Sequence, residues 1–203
     1  MEYVINQIRL CGTLDSAPSF SHENHGRQFY SFFLAVERLS GAVDRLRVLA
    51  DLALLESADC AWGERVLVTG QIRSYNQPAE SGRRLVISVY AETLELSDEE
   101  PENQTILTGT LCRDPIYRRT PLGREICDGM LAVNRSYRRT DYLPCIFWGR
   151  TARKIGALST GARITLTGRL QSREYTKLLP DGSAEQRTAY EISAITAELT
   201  RDE

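Results

Sequence analysis

Lysine is almost missing from this 203-residue chain: Lys154 and Lys177 stand alone among 25 basic residues, and the rest are arginines. Histidine is as scarce. His22 and His25 both lie in Ser21-His-Glu-Asn-His-Gly26, so a Ser-His-Asp or Cys-His arrangement elsewhere is excluded. On a Ser/Asn/Gly hairpin loop with no third or fourth ligand, the pair is expected to be solvated and to hold no metal. The five cysteines, Cys11, Cys60, Cys112, Cys127 and Cys145, form no Cys-x-x-Cys pair, and reduced thiols in strand-like apolar runs are expected. No Gly-x-x-x-x-Gly-Lys occurs, no Gly-x-Gly-x-x-Gly follows a strand, and no spacing flags paired acids. These absences argue against an enzyme and against a cofactor. No run of eighteen apolar residues is present, so no segment is a membrane-spanning helix. The opening MEYVINQIRL lacks the basic leader and small-residue cleavage site of an export signal, so a cytoplasmic location is expected. What remains suits a folded, soluble chain: 42% of residues are apolar, 26% are charged, and the mean hydropathy is −0.31.

The chain reads as two copies of one unit. Asn6-Gln-Ile-Arg-Leu-Cys-Gly12-Thr-Leu14 recurs as Asn103-Gln-Thr-Ile-Leu-Thr-Gly109-Thr-Leu111, an offset of 97 positions. Later landmarks keep nearly that step: Pro18 with Pro115, Gly26 with Gly123, Leu34-Ala-Val36 with Leu131-Ala-Val133, Arg38 with Arg135, Gly63 with Gly161 and Gly70 with Gly168. Between the copies, Ser97-Asp-Glu-Glu-Pro-Glu102 looks like a solvated connector. The expected domains are therefore residues 1–98 and 103–203.

Each copy is strand-like almost throughout, with runs of β-branched and aromatic residues ending at Gly, Pro, Asn or Ser. The first copy has Tyr3–Leu10, Gln28–Val36, Arg65–Ile72 and Arg84–Leu94. The second has Thr105–Leu111, Glu125–Val133, Tyr142–Trp148, Ala162–Leu170 and Thr188–Leu199. Leu52–Cys60 and Arg150–Leu158 break the alternation and read as short helices. The pattern predicts an all-β chain of two tandem OB folds, each a five-stranded Greek-key barrel with one helix between its third and fourth strands. An immunoglobulin-like sandwich would not contain that helix.

Period-two sorting of Tyr142-Leu-Pro-Cys-Ile-Phe-Trp148 puts Leu143, Cys145 and Phe147 on a core face. Tyr142, Pro144, Ile146 and Trp148 fall on the other, near Tyr137 and Tyr175. Charge divides unevenly as well. Residues 1–100 hold 9 basic and 15 acidic side chains, a net of −6, while residues 101–203 hold 16 and 12, a net of +4. Arg118, Arg119, Arg124, Arg135, Arg138, Arg139, Arg150, Arg153, Lys154, Arg173 and Lys177 all lie beside the outward aromatics. Cations interleaved with flat rings meet the needs of single-stranded nucleic acid, whose phosphates want neutralising and whose unpaired bases stack at roughly 1–3 kcal/mol each. The competing reading is an ordinary solvated face. Trp62, beside Gly63 after the first helix, is expected to pack or to lie in an interface.

The second copy resembles the bacterial single-stranded DNA-binding protein family. The matching stretches are Asn103-Gln-Thr-Ile-Leu-Thr-Gly-Thr-Leu with Asp114-Pro115, then Gly123, Leu131-Ala-Val-Asn-Arg-Ser-Tyr137, Thr140-Asp-Tyr142 and Phe147-Trp-Gly-Arg150-Thr-Ala152. They continue through Gly161, Thr167-Gly-Arg-Leu170 and Arg173-Glu-Tyr175. The resemblance implies single-stranded DNA binding without catalysis, in replication, recombination or repair. Its stacking positions fall on Tyr137, Tyr142, Trp148 and Tyr175, and its backbone-contacting positions on Arg118, Arg150 and Arg173. Arg138 and Lys177 join them on charge and placement. The first copy keeps the frame but has Ser40, Arg45 and Asp51 where the second has Tyr137, Tyr142 and Trp148, so it is expected to pack, space or recruit. The resemblance also implies a homodimer presenting four barrels. Replication or repair proteins are possible partners, although the chain ends at Leu199-Thr-Arg-Asp-Glu203 without the long linker and acidic tip through which members recruit them. The rival reading is a replication-restart or plasmid-maintenance accessory that uses its OB folds mainly for protein contacts.

Overall fold

The computed structural model describes residues 4–79, 82–136, 139–178 and 182–200. The chain is all-β, with two short helices. The first repeat contributes β1 (Asn6–Leu14), β2 (Ser19–Asn24), β3 (Arg27–Glu37), β4 (Val43–Asp51), α1 (Leu52–Ala58), β5 (Arg65–Ala79) and β6 (Gly82–Leu96). The second contributes β7 (Glu102–Leu111), β8 (Ile116–Arg119), β9 (Glu125–Arg135), β10 (Arg139–Trp148), α2 (Gly149–Gly156), β11 (Arg163–Leu178) and β12 (Ala184–Leu199).

Strand order runs β2-β3-β4-β6-β5-β1-β7-β11-β12-β10-β9-β8, so the second repeat reads as the first in reverse. Two antiparallel strands, β1 and β7, join the repeats edge to edge, with Ile8 opposite Thr105. Each barrel closes where that strand also pairs with the third strand of its repeat, Thr13 with Ala35 in one and Thr110 with Ala132 in the other. These are two OB folds.

The recurring landmarks have mechanical reasons. Gly12 and Gly109 sit at the closure points, where a Cβ would stand 2.5 Å from the Ala35 carbonyl oxygen and 2.7 Å from that of Ala132. Gly70 and Gly168 mark matching register shifts in the β5–β6 and β11–β12 ladders. Asn6 and Asn103 each mimic a strand neighbour: Asn6 donates to the Ile72 carbonyl at 2.8 Å and accepts from the Ile72 N–H at 2.9 Å, and Asn103 does the same with Leu170 at 2.6 and 3.0 Å. Alternating residues fill the barrels, among them Phe32, Leu34, Val36, Leu46 and Val48 in the first and Leu131, Val133, Leu143, Phe147 and Ile155 in the second.

One expectation is corrected. Each repeat has a sixth, short strand, β2 or β8, so the helix follows the fourth strand. Every residue of both added strands is exposed, and an unburied strand leaves no hydrophobic alternation to read. The His22 and His25 segment is part of that addition: His22 lies in β2 with its ring stacked 4.9 Å from Phe29, and His25 makes the turn at φ +50°. The acidic connector is exposed at residues 98–100 and is tied to β1. Arg9 pairs with Glu99 and Glu102, and the Glu99 carbonyl accepts from Arg65 at 3.1 Å.

Cys11, Cys127 and Cys145 are buried, Cys60 is half-buried and Cys112 exposed, and none is in a disulfide. Burial pushes the Cys127 thiol up to about 11. Among the described residues no helix is long and apolar enough to cross a membrane.

Candidate nucleic-acid interface

Register decides which side chains share a face, because paired residues point to the same side of a sheet and every second residue repeats. Arg118 on β8 pairs with Ile126 on β9, which pairs with Trp148 on β10. Two residues before Trp148, Ile146 pairs with Ser193 on β12, which pairs with Arg169 on β11. Counting by twos from Arg169 reaches Arg173, Tyr175 and Lys177, and from Trp148 reaches Tyr142. The β8-β9-β10-β12-β11 surface therefore carries Arg118, Tyr142, Trp148, Arg169, Arg173, Tyr175 and Lys177 on one side. Arg150 follows immediately in α2 and is exposed. Tyr137 and Arg138 lie outside the described residues.

The rings are available. Tyr142 is 44% exposed, Trp148 40% and Tyr175 36%. The Trp148 indole Nε1 donates to Ser193 Oγ at 3.1 Å, and the Arg173 guanidinium lies 5.9 Å from the centre of the Tyr175 ring. Leu143, Cys145 and Phe147 fill the core as the period of two requires, but Ile146 does not stay open: it is 7% exposed. The hydrogen bond from Trp148 to Ser193, the register partner of Ile146, draws the indole across that row. Trp62 does not take the packing alternative. Within this chain it packs against nothing that covers it, being 72% exposed.

Ion pairing distinguishes the cations near the rings. Arg150, Arg169, Arg173 and Lys177 form no ion pair among the described residues, whereas Arg118 pairs with Asp128 at 2.8 Å, a contact that raises its guanidinium above the ordinary value. On the first repeat Arg27, Arg38 and Arg45 are paired with Asp51, Asp44 and Asp15, and Arg73 reaches Asp141. That face does hold rings, at positions other than those compared in sequence. Phe33 lies beneath Arg45 at 4.4 Å, and Tyr90 beneath Arg73 at 5.9 Å. The guanidiniums over Phe33 and Tyr90 are thus held by carboxylates, whereas Arg173 beside Tyr175 forms no ion pair among the described residues.

Arg169 was not singled out by charge or placement in the sequence. The signal that could have found it is parity with Arg173 and Tyr175 along β11.

Such a surface attracts a polyanion and offers flat platforms at its centre, the chemistry of a single-strand binder. Residues 102–200 match the model of the "Single-strand binding protein family". That match spans the second repeat. It is 39% identical over 80 residues to Single-stranded DNA-binding protein 1 of Staphylococcus aureus, a match covering 36% of this chain and 48% of that one. The chain thus spans about half the length of this relative. Similarity to the Single-stranded DNA-binding protein of Deinococcus radiodurans is 24% identity over 229 aligned positions, covering 95% of this chain and 75% of the relative. A crystal structure of a deletion mutant of the single-stranded DNA binding protein from Thermus aquaticus superposes with a TM-score of 0.80 at 25% identity, covering 100% of this chain and 98% of that one. That likeness takes in both repeats.

Proposed function

We propose that the chain binds single-stranded DNA without regard to sequence and takes part in replication, recombination or repair, with no catalysis of its own. The carrying observation is the open face of the second repeat, where Tyr142, Trp148 and Tyr175 share a surface with Arg150, Arg169 and Arg173, which form no ion pair among the described residues. Phosphates are drawn in by Arg118, Arg138, Arg150, Arg173 and Lys177, and bases stack on Tyr137, Tyr142, Trp148 and Tyr175. Residues 1–98 and 103–203 act as two units, the second of which makes the main contacts. The family match and the full-length likeness to the Deinococcus and Thermus proteins favour this reading over an accessory that works only through protein contacts. Two chains associate in the cytoplasm to present four barrels.

The test is titration of the full chain with oligo-dT over a range of salt. Apparent affinity falls with a log–log slope of about −0.7 per neutralised phosphate if backbone contacts dominate the attraction. A salt-independent affinity, or equal binding of a neutral glycan, overturns the proposal. Sedimentation of the same sample reads the assembly.

A further inference from the structure

The two repeats are tied together by a pair of matching buried carboxylates, Asp44 on β4 and Asp141 on β10. They are 97 positions apart in sequence and both fully buried. Asp141 accepts the Ser74 backbone N–H at 2.6 Å, and Arg73 and Arg135 face its other oxygen at 3.3 and 3.2 Å. Ser74 returns the contact, its Oγ accepting the Tyr142 backbone N–H at 2.8 Å. The mirror arrangement holds the other repeat. Asp44 accepts the Ser172 N–H at 2.7 Å and two Arg38 donors, while Ser172 Oγ accepts the Arg45 N–H at 2.9 Å.

Desolvated charges are a poor way to glue two surfaces, since apolar side chains of similar volume often hold as well or better. What directional bonds to a buried acid can add is a fixed geometry. Here the geometry falls next to the open rings. Asp141 immediately precedes Tyr142, and Ser172 immediately precedes Arg173. The first repeat grips the second at the roots of both strands that carry the exposed face.

We propose that Ser74, acting with Asp141, is a positioning residue for DNA binding: the first repeat holds the β10 backbone so that the Tyr142 ring meets a base. The proposal rests on the reading that Tyr142 stacks. It gives the acidic repeat a direct part in the second repeat's interface. The Ser74 hydroxyl alone holds the Tyr142 backbone N–H, so one substitution interrogates that bond.

The experiment is a double-mutant cycle on the full chain, with oligo-dT at fixed salt. Ser74→Ala weakens binding about two- to tenfold, the range of one net hydrogen bond. In a Tyr142→Ala background the same change has no further effect, because the ring it positions is gone. Ser74→Thr, which keeps the hydroxyl, restores affinity. Ser172→Ala removes the equivalent bond from the mirror contact and controls for loss of stability; it shows no coupling to Tyr142→Ala. Normal binding by Ser74→Ala, a penalty undiminished in the Tyr142→Ala background, or equal coupling from Ser172→Ala overturns the positioning role while leaving the DNA-binding reading standing. Unchanged affinity of Tyr142→Ala alone overturns the stacking assignment and this proposal with it.

Discussion

The indole of Trp148 is bonded to Ser193 Oγ across the β10–β12 junction, the one place where these parallel strands meet, at Cys145 with Ile192 and Ile146 with Ser193. The bond fixes the ring plane before any ligand arrives, so a base stacking there sacrifices little rotamer freedom. Trp148→Ala should weaken oligo-dT binding by about 1–3 kcal/mol. Anisotropy of a dye-labelled oligo-dT measures it, because the substitution removes the indole that intrinsic quenching would read.

Unpaired and paired arginines should contribute differently to the salt dependence. Arg150→Ala, Arg169→Ala and Arg173→Ala each remove a cation with no acidic partner, and each is expected to flatten the log–log salt slope by about 0.7. Arg118→Ala should flatten it less, since a phosphate must first displace Asp128 from that guanidinium. Isotherms at several salt concentrations compare the four.

Glycine at the closure point is a steric requirement. A methyl group on Gly109 would lie 2.7 Å from both the Ala132 carbonyl oxygen and a Leu131 side-chain carbon, so Gly109→Ala must push β7 and β9 apart. The expected destabilisation is about 1–3 kcal/mol, read by thermal or urea unfolding. An unchanged midpoint would mean that the barrel closes more loosely than these contacts require.

The duplication, the OB fold and the outward pair Tyr142 and Trp148 were legible because they rest on local rules: recurring glycines, period-two alternation and a helix breaking that alternation. Strands β2 and β8 were not, since nothing on them is buried. The Asp44 and Asp141 contacts were hidden for a different reason. Each has an arginine six residues earlier on its own repeat, but the serine it bonds lies on the opposite repeat, a distance no local pattern spans. Net charge located the basic half correctly but could not separate Arg169, which is free, from Arg118, which is bound.

Thiol reactivity should follow burial. Cys112 is exposed, whereas Cys11, Cys127 and Cys145 are buried, and burial holds the Cys127 thiol at about 11. At about pH 8 only about a thousandth of Cys127 is thiolate. Iodoacetamide applied to the native protein should label Cys112 first and the three buried thiols only after denaturant is added, as peptide mass spectrometry would reveal. Early labelling of Cys127 would contradict the packing of β9.

Acid should loosen the turn before β8. One oxygen of Asp114 accepts both the backbone N–H and the hydroxyl of Thr160 at 2.8 Å, tying the segment after β7 to the segment after α2. The backbone bond is the larger of the two effects that hold the carboxyl below its ordinary value. A carboxyl depressed in the folded state stabilises it above the unfolded-state value, and that stabilisation is lost as pH falls through its own lower one. Asp114→Ala should therefore lower the melting temperature most near neutral pH, with the gap to the parent closing on acidification. A gap that stays constant as the parent is acidified would show that the ionised carboxylate contributes nothing there.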